Sequence, residues 1–285
     1  MEHIIIIGGG VGSAIAHDLC LRGFSVTLLE KGALVSGSTG RHHGLLHSGA
    51  RYVLHDLKSA RECIAENQIL RRIAPEALEQ NDGLFVAISD ADMSHRTAFL
   101  EKCEASGIPA KEIPPATAMQ LAPNLNPDVI AAFRVPDATM DAWRLPMHFF
   151  ASARANGADI RPYAEVTEIN AKASSVTGVT VFDHRSHQSY FLQADLIINA
   201  TGPWSAKTAA MLGIKIPVRP VPGVMVSVAP RLTHMVINRL HPADDGDIIV
   251  PQRHLSLLGT TAWMAEDPDD MQIPPGHVEK IVSLC

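Results

Sequence analysis

The sequence has no apolar run of about 18 residues, so it offers no membrane-spanning helix. It has no basic stripe either. Its 24 Lys and Arg against 30 Asp and Glu leave a formal net charge of −6, which excludes a nucleic-acid partner for want of cations to neutralise phosphates. Charges of both signs are mixed, and no long block of one sign occurs. Cysteine is scarce. Cys20, Cys63, Cys103 and Cys285 stand far apart without a C-x-x-C pair, which argues against a disulfide framework or a thiolate metal site. Four reduced, mostly buried thiols are expected instead. No basic segment precedes the first apolar run, so no secretory leader is read there. Repeats and low-complexity linkers are also missing. These absences together give an expected cytoplasmic address.

What is present begins at once. With 285 residues, 46% of them hydrophobic, the chain can bury a sizeable core in one or two domains. His3 to Ile7 is a β-branched run that reads as a parallel strand buried on both faces. Gly8-Gly9-Gly10-Val11-Gly12 follows as a turn, then a helix from about Ser13 to Arg22 stopped by Gly23, then a strand from Ser25 to Glu30. This order is a βαβ unit.

A dinucleotide turn requires glycine for the tight bend, for close approach of the backbone to a pyrophosphate, and for contact between helix and strand. The helix N-terminus then offers unpaired N–H groups and a positive dipole end. Gly8, Gly10 and Gly12 stand in this setting, and Glu30 ends the next strand where an acid can accept bonds from a ribose. The spacing departs from G-x-G-x-x-G, because the third glycine position holds Ser13 and Gly12 comes one residue early. Either the turn is tightened by a residue or the small Ser13 takes the packing role.

Further along, helical spacing runs from Leu57 to Ile73 and ends before Pro75. A strand is expected over Gly83–Ser89, a helix over 93–106, Pro-rich loops around short elements over 109–146, and a helix from Arg144 to Asn156. Residues 164–198 alternate as a β-meander closing in Leu196-Ile197-Ile198, and residues 216–262 again look sheet-like. β-rich blocks that interrupt an α/β pattern predict two interleaved domains. The expected fold class is α/β, a Rossmann-like dinucleotide-binding domain over residues 1–80 and 145–212 interleaved with a β-rich α+β substrate domain over 81–144 and 213–285.

Several segments carry a family resemblance. They are Thr39-Gly40-Arg41-His42-His43-Gly44-Leu45-Leu46-His47-Ser48-Gly49-Ala50-Arg51-Tyr52, Ser59 to Leu70, Val236-Ile237-Asn238-Arg239, Asp247 to Pro251 and Leu258-Gly259-Thr260-Thr261. The chain resembles the large, FAD-carrying subunit of anaerobic glycerol-3-phosphate dehydrogenases, within the FAD-dependent amino-acid and glycerophosphate oxidoreductases. The resemblance implies FAD as cofactor, sn-glycerol 3-phosphate as substrate, dihydroxyacetone phosphate as product, and electrons passed to a quinone or to partner electron-transfer subunits. It also implies a peripheral place on the inner membrane through those partners. Gly8, Gly10, Gly12 and Glu30 would hold the ADP half of FAD, and Val166 would meet the adenine end through its backbone. Ser38, Thr39, Gly44 and Leu45 would lie along the ribityl chain and flavin, and Thr201 and Gly202 would close over the cofactor. His47 would lie near the isoalloxazine as base, as substrate hydrogen-bond partner or as flavin-positioning group, and Arg51 with Tyr52 would face the substrate.

The family continues well past residue 285, with a Gly-Gly-Lys segment, a further arginine and a cysteine-rich module, so the chain is expected to be a truncated product with little turnover alone. Two other readings stand beside the first: an L-2-hydroxyglutarate-type FAD oxidase or dehydrogenase, whose loop lacks the arginine at position 51, and a catalytically inactive flavin-binding fragment. His42, His43, His47 and His55 lack acidic or cysteine companions at ligand spacing, so no metal is expected. Asp244, Asp245 and Asp247 read as a solvated turn around Gly246, and Trp204 and Trp263 as packing residues.

Overall fold

The computed structural model describes residues 2–244 and 246–285. The chain forms two compact units that alternate along the sequence: residues 1–42, 142–220 and 264–270 in the first, and 43–141, 221–263 and 271–285 in the second.

The first unit is built on a parallel four-stranded sheet in the order Leu196–Asn199, His3–Ile7, Ser25–Glu30, Asp159–Pro162. Strand side chains alternate between faces. Ile4 and Ile6 therefore pack with Ala16, Cys20, Phe150 and Ala153 of helices Gly10–Leu21 and Arg144–Ala155. Ile5 and Ile7 pack on the opposite side with Val166, Ile169, Val179 and Val181 of an antiparallel meander over Ala164–Lys172, Ser175–Asp183 and Gln188–Gln193. A strand sandwiched in this way has no solvent face, which is why it reads as an unbroken apolar run. Leu196–Asn199 leaves the meander to join the parallel sheet, with Ile5 opposite Ile197.

The second unit holds a seven-stranded sheet in the order Val226–Val228, Leu255–Leu258, Ile248–Gln252, Val236–Arg239, Gly83–Ala87, Ala131–Val135, Lys111–Ile113. Only Val236–Arg239 against Gly83–Ala87 is parallel; the other pairings are antiparallel. Helices Leu57–Ile73 and Arg96–Ala105 cover one face, where Ala60 and Ile64 meet Phe85, Phe99, Cys103 and Phe133. A short sheet of Leu45–Leu46, Ala138–Met140 and Leu78–Glu79 completes this unit.

Three expectations are corrected. Residues 43–80 belong to the second unit, because helix Leu57–Ile73 buries its apolar stripe on that unit's sheet. Residues 213–220 and 264–270 fall in the first, where Ala265 N–H donates to Pro220 O at 3.1 Å. Within 109–146, one of the short elements expected among the loops, Ala131–Val135, is an interior strand of the large sheet, and Ala131, Ala132, Phe133 and Val135 are all buried. The helix expected over 93–106 is two, Asp90–Met93 and Arg96–Ala105, the first capped by Ser89 accepting Asp92 N–H at 3.2 Å. Among the described residues no helix is long and apolar enough to cross a membrane.

Candidate functional site

In the first unit the glycine turn resolves its own irregular spacing. Gly8 sits at φ +101°, and a Cβ there would lie 2.5 Å from the Ala200 carbonyl oxygen. Helix Gly10–Leu21 starts three residues earlier than its sequence suggests, with Gly9 as an N-cap that has no side chain to bond and no acid in the first turn. Gly12 takes the packing role: a Cβ would stand 3.0 Å from Ile6 Cγ2 and 3.5 Å from Leu28 Cδ1. Ser13 is buried beside it, and its hydroxyl donates to Gly10 O at 2.8 Å. The leading N–H groups of this helix are thus left for an external acceptor, as an anion site requires.

Glu30 closes the turn from the next strand. Its Oε2 accepts Gly9 N–H at 2.8 Å and its Oε1 accepts Gly32 N–H at 3.0 Å, so the carboxylate is aimed at the turn. Thr39, with Ser38 in the one-turn helix Ser38–Arg41, places Oγ1 where a Gly10 Cβ would stand, 2.1 Å away. Thr201 lies against Gly8 and is held by Asn199, whose Oδ1 accepts Thr201 Oγ1–H at 2.7 Å. The sequence marks Asn199 only as the start of a segment and assigns it no role. Its signal was the Asn-Ala-Thr-Gly run at the end of an apolar strand. Gly202 begins the next one-turn helix at φ +55°. Val166 turns its side chain into the core beside a strand irregularity between Val166 and Glu168. Trp204 does more than pack, because its Nε1–H donates to Asp269 Oδ1 at 2.8 Å while Lys207 bonds the same carboxylate at 2.6 Å.

Gly8→Ala is expected to cost about 3 kcal/mol or more, since it combines a left-handed φ with a backbone collision. Urea denaturation measures it, and a loss under about 1 kcal/mol would show that the Gly8–Ala200 approach is not rigid.

In the second unit the loop from His43 to Tyr52 is gripped at both ends. Gly44 has φ +75°, and a Cβ would meet Gln252 Nε2 at 2.0 Å and Met140 O at 2.4 Å. That Gln252 amide donates to His43 O at 2.9 Å and Met140 O at 3.1 Å. Leu45 N–H donates to His43 Nδ1 at 3.1 Å, so that nitrogen carries no proton. The His47 ring lies 5.2 Å from the Tyr52 ring and 6.1 Å from that of His43. One edge of His47 meets solvent, but protein packs round the rest. That burial, followed by nearby His43 and Arg51, pushes its pKa down to about 3. Burial likewise raises the Tyr52 phenol.

Arg51 departs most from expectation. Its Nη2 donates to Asp247 Oδ1 at 2.6 Å and to Asp244 O at 2.8 Å, and its Nη1 donates to Asn238 Oδ1 at 3.1 Å. Both edges of a guanidinium that offer parallel N–H pairs include Nη2, whose hydrogens are both used. Asp247 is not in a solvated turn: its side chain is 8% exposed, and Asp245 lies outside the described residues. Its Oδ2 stands 3.1 Å from His241 Nε2 yet makes no aligned hydrogen bond. In the sequence Asn238 stands out only as part of a resembling segment, and Asp247 as part of another and of an acidic turn. Nothing local marks them as partners of an arginine nearly two hundred residues away.

Among the described residues no group of His, Cys, Asp and Glu could hold a metal ion. Cys20 and Cys103 are buried, Cys63 is half-buried, and all four thiols are free. Trp263 stacks edge-on to His277 at 5.1 Å.

The family model described as FAD dependent oxidoreductase matches residues 3–285. An anaerobic glycerol-3-phosphate dehydrogenase subunit from Escherichia coli is 42% identical over 279 residues, 97% of this chain and 52% of the relative. The chain spans about half the length of the curated relatives it matches. Among solved structures, glycine oxidase from Geobacillus kaustophilus superposes with a TM-score of 0.81 at 21% identity, covering 99% of this chain and 77% of that one. L-α-glycerophosphate oxidase from Mycoplasma pneumoniae, solved with FAD bound, gives 0.79 at 19% identity, covering 100% and 78%. At such identities these two show the fold alone. On the match along its length, and on a glycine turn built as a nucleotide-binding turn must be, the chain belongs to the FAD dependent oxidoreductase family.

Proposed function

We propose that this chain carries out the FAD-dependent oxidation of sn-glycerol 3-phosphate, within an assembly that passes the electrons to a quinone through partner subunits. The glycine turn fits the cofactor. Its helix N-terminus has no side-chain cap and no acid within its own first turn, while Glu30, from the next strand, holds Gly9 N–H and keeps lone pairs for a ribose. Gly8, Gly10, Gly12 and Glu30 would hold the ADP half, Thr39 would lie along the ribityl chain, and Thr201 would close over the cofactor. Ser38, Gly44, Leu45, Val166 and Gly202 complete the proposed cofactor set. FAD supplies a two-electron acceptor for the hydride of a secondary alcohol.

The chain's own part is binding and orientation. His47, neutral across the working pH range, accepts a hydrogen bond from the substrate hydroxyl and orients the alcohol more than it captures the proton. Tyr52 stands beside it as a donor. Arg51 supplies the cation for a phosphate, and a two-pronged grip requires Asp247 to yield.

The observation that carries this reading is the neutral His47 against Tyr52 with Arg51 on the same loop, in a chain 42% identical to the Escherichia coli relative. The occupied fork of Arg51 favours a second reading, a 2-hydroxy-acid substrate without phosphate. The experiment is anaerobic bleaching of the flavin bound to the chain. Bleaching by glycerol 3-phosphate at least about tenfold faster than by L-2-hydroxyglutarate is expected. The reverse order overturns the phosphate reading, and no bleaching by either leaves the chain a flavin-binding fragment.

A further inference from the structure

We propose that Asn67, held by Arg71 and joined by Asp137, is the positioning assembly for His47. The inference rests on the proposed function for its consequence in turnover, but not for its geometry.

The His47 imidazole makes no hydrogen bond to any described residue; its only ring contacts are His43 and Tyr52. Rings at 5–6 Å restrain a side chain loosely. Packing restrains the ring, but where that packed ring sits is set by the backbone that carries it, and that backbone is bonded on both sides of His47. The Asn67 amide donates to Leu46 O at 3.3 Å and to His47 O at 3.2 Å, and reaches Pro136 O at 3.3 Å. Asp137 Oδ1 accepts Ser48 N–H at 2.7 Å. Three backbone polar groups flanking or belonging to His47 are thereby held by the side chains of Asn67 and Asp137.

The assembly is built for this direction. Asn67 is 1% exposed on the helix Leu57–Ile73, a position where a buried amide needs partners. Arg71, one turn on, donates from Nε to Asn67 Oδ1 at 2.7 Å, which forces the amide nitrogen toward the loop. The same guanidinium reaches Pro136 O at 2.9 Å and Asp137 O at 3.2 Å, tying the Asp137 backbone to the amide it works beside. Gly83 lies so close that a Cβ would stand 2.7 Å from Asp137 Oδ2, so the carboxylate has no room to swing on that side. A buried amide needed only to satisfy carbonyls would not require a charged residue to fix its orientation. An assembly that sets a catalytic loop does.

The variant is Asn67→Asp, nearly the same volume, which keeps an acceptor for Arg71 and replaces the donor with a second oxygen facing two carbonyls. The first readout is the imidazole titration of His47 by NMR in the full chain, assigned by difference against His47→Gln. In the wild type it titrates at about 3. In Asn67→Asp, and also in Asn67→Leu, which adds no charge beside the ring, it is expected to move up by about one pH unit or more, toward the ordinary histidine value, as the ring leaves its packed place. A rise confined to Asn67→Asp is the new carboxylate acting through space and overturns the proposal. An unchanged titration overturns the proposal. The second readout is bleaching of bound flavin by saturating glycerol 3-phosphate. It is expected to slow about tenfold or more, with half-saturation moved less than about threefold and with reduction by dithionite unchanged. Equal slowing with both reductants means a general loss of structure and also overturns it. Should the wild type itself fail to bleach while the titration moves, the proposed substrate falls and the positioning stands. If Asn67→Asp does not fold, Arg71→Gln takes its place with the same criteria, since it removes the charge that orients the amide and leaves a neutral donor and acceptor.

Discussion

Between pH 6.5 and about pH 3 the wild-type chain should lose stability that a His47→Gln chain keeps. The sign follows from proton counting. His47 is held neutral in the folded chain down to about pH 3, while the unfolded chain takes up a proton near 6.5, so the unfolded state binds more protons throughout that window. Stability attached to His47 is thus fully present above 6.5 and drains away as pH falls toward 3. Allowing for its exposed edge, the loss is about 2–4 kcal/mol. Asp137 works in the opposite sense, because burial raises its carboxyl and the folded state holds that proton more tightly, a contribution lost as pH rises. Asp137 and the surface carboxylates are common to both chains, so the difference between wild type and His47→Gln isolates the imidazole. Urea midpoints at pH 7, 5 and 4 measure it. Parallel curves for the two chains would mean that His47 is well solvated, and the neutral-imidazole account of the alcohol contact would fall with it.

Removing Arg51 is the second large effect expected. Arg51→Ala leaves the Asp247 carboxylate, 8% exposed, with only the His241 imidazole, Nε2 at 3.1 Å, beside it in place of the guanidinium. A buried charge stripped of its partner costs about 3–5 kcal/mol, whereas replacing both partners by apolar groups of similar volume is nearly neutral. Arg51→Ala should therefore destabilise strongly, and the double change Arg51→Met with Asp247→Leu should recover most of the loss. Denaturation of the two variants provides the comparison. A single substitution that costs less than about 1 kcal/mol would show a solvated pair and an Arg51 fork free for phosphate from the start.

Much of this architecture is written locally. The isoleucine strand is legible because burial on both faces removes polar alternation. Helix Leu57–Ile73 is legible to the residue because Asp56 caps it, accepting Ser59 N–H at 3.0 Å, and Pro75 follows its end. The start of helix Gly10–Leu21 is not, since glycine propensity argues against helix at Gly10 and Gly12 and the contact of Gly12 with Ile6 overrides it. The glycine turn and Glu30 could be chosen from spacing alone. Asn67, Asp137 and Asp247 could not, because their meaning comes from partners 20, 89 and 196 residues distant. The same long reach misplaced residues 43–80, which follow the nucleotide turn in sequence but bury their apolar stripe elsewhere.

The parallel pairing of His3–Ile7 has a consequence for biosynthesis. One edge of this strand finds Ser25–Glu30 almost at once, but the other waits for Leu196–Asn199, and His3 and Asp195 are 192 residues apart. At typical synthesis rates of roughly 5–20 residues per second, four isoleucines stand for about 10–40 seconds with an open hydrogen-bonding edge. A chain with so much of its central sheet closed by distant contacts has high contact order and folds late. Nascent chains stalled before residue 196 should therefore be the aggregation-prone species, and a chaperone that shields the strand would act during translation rather than after release.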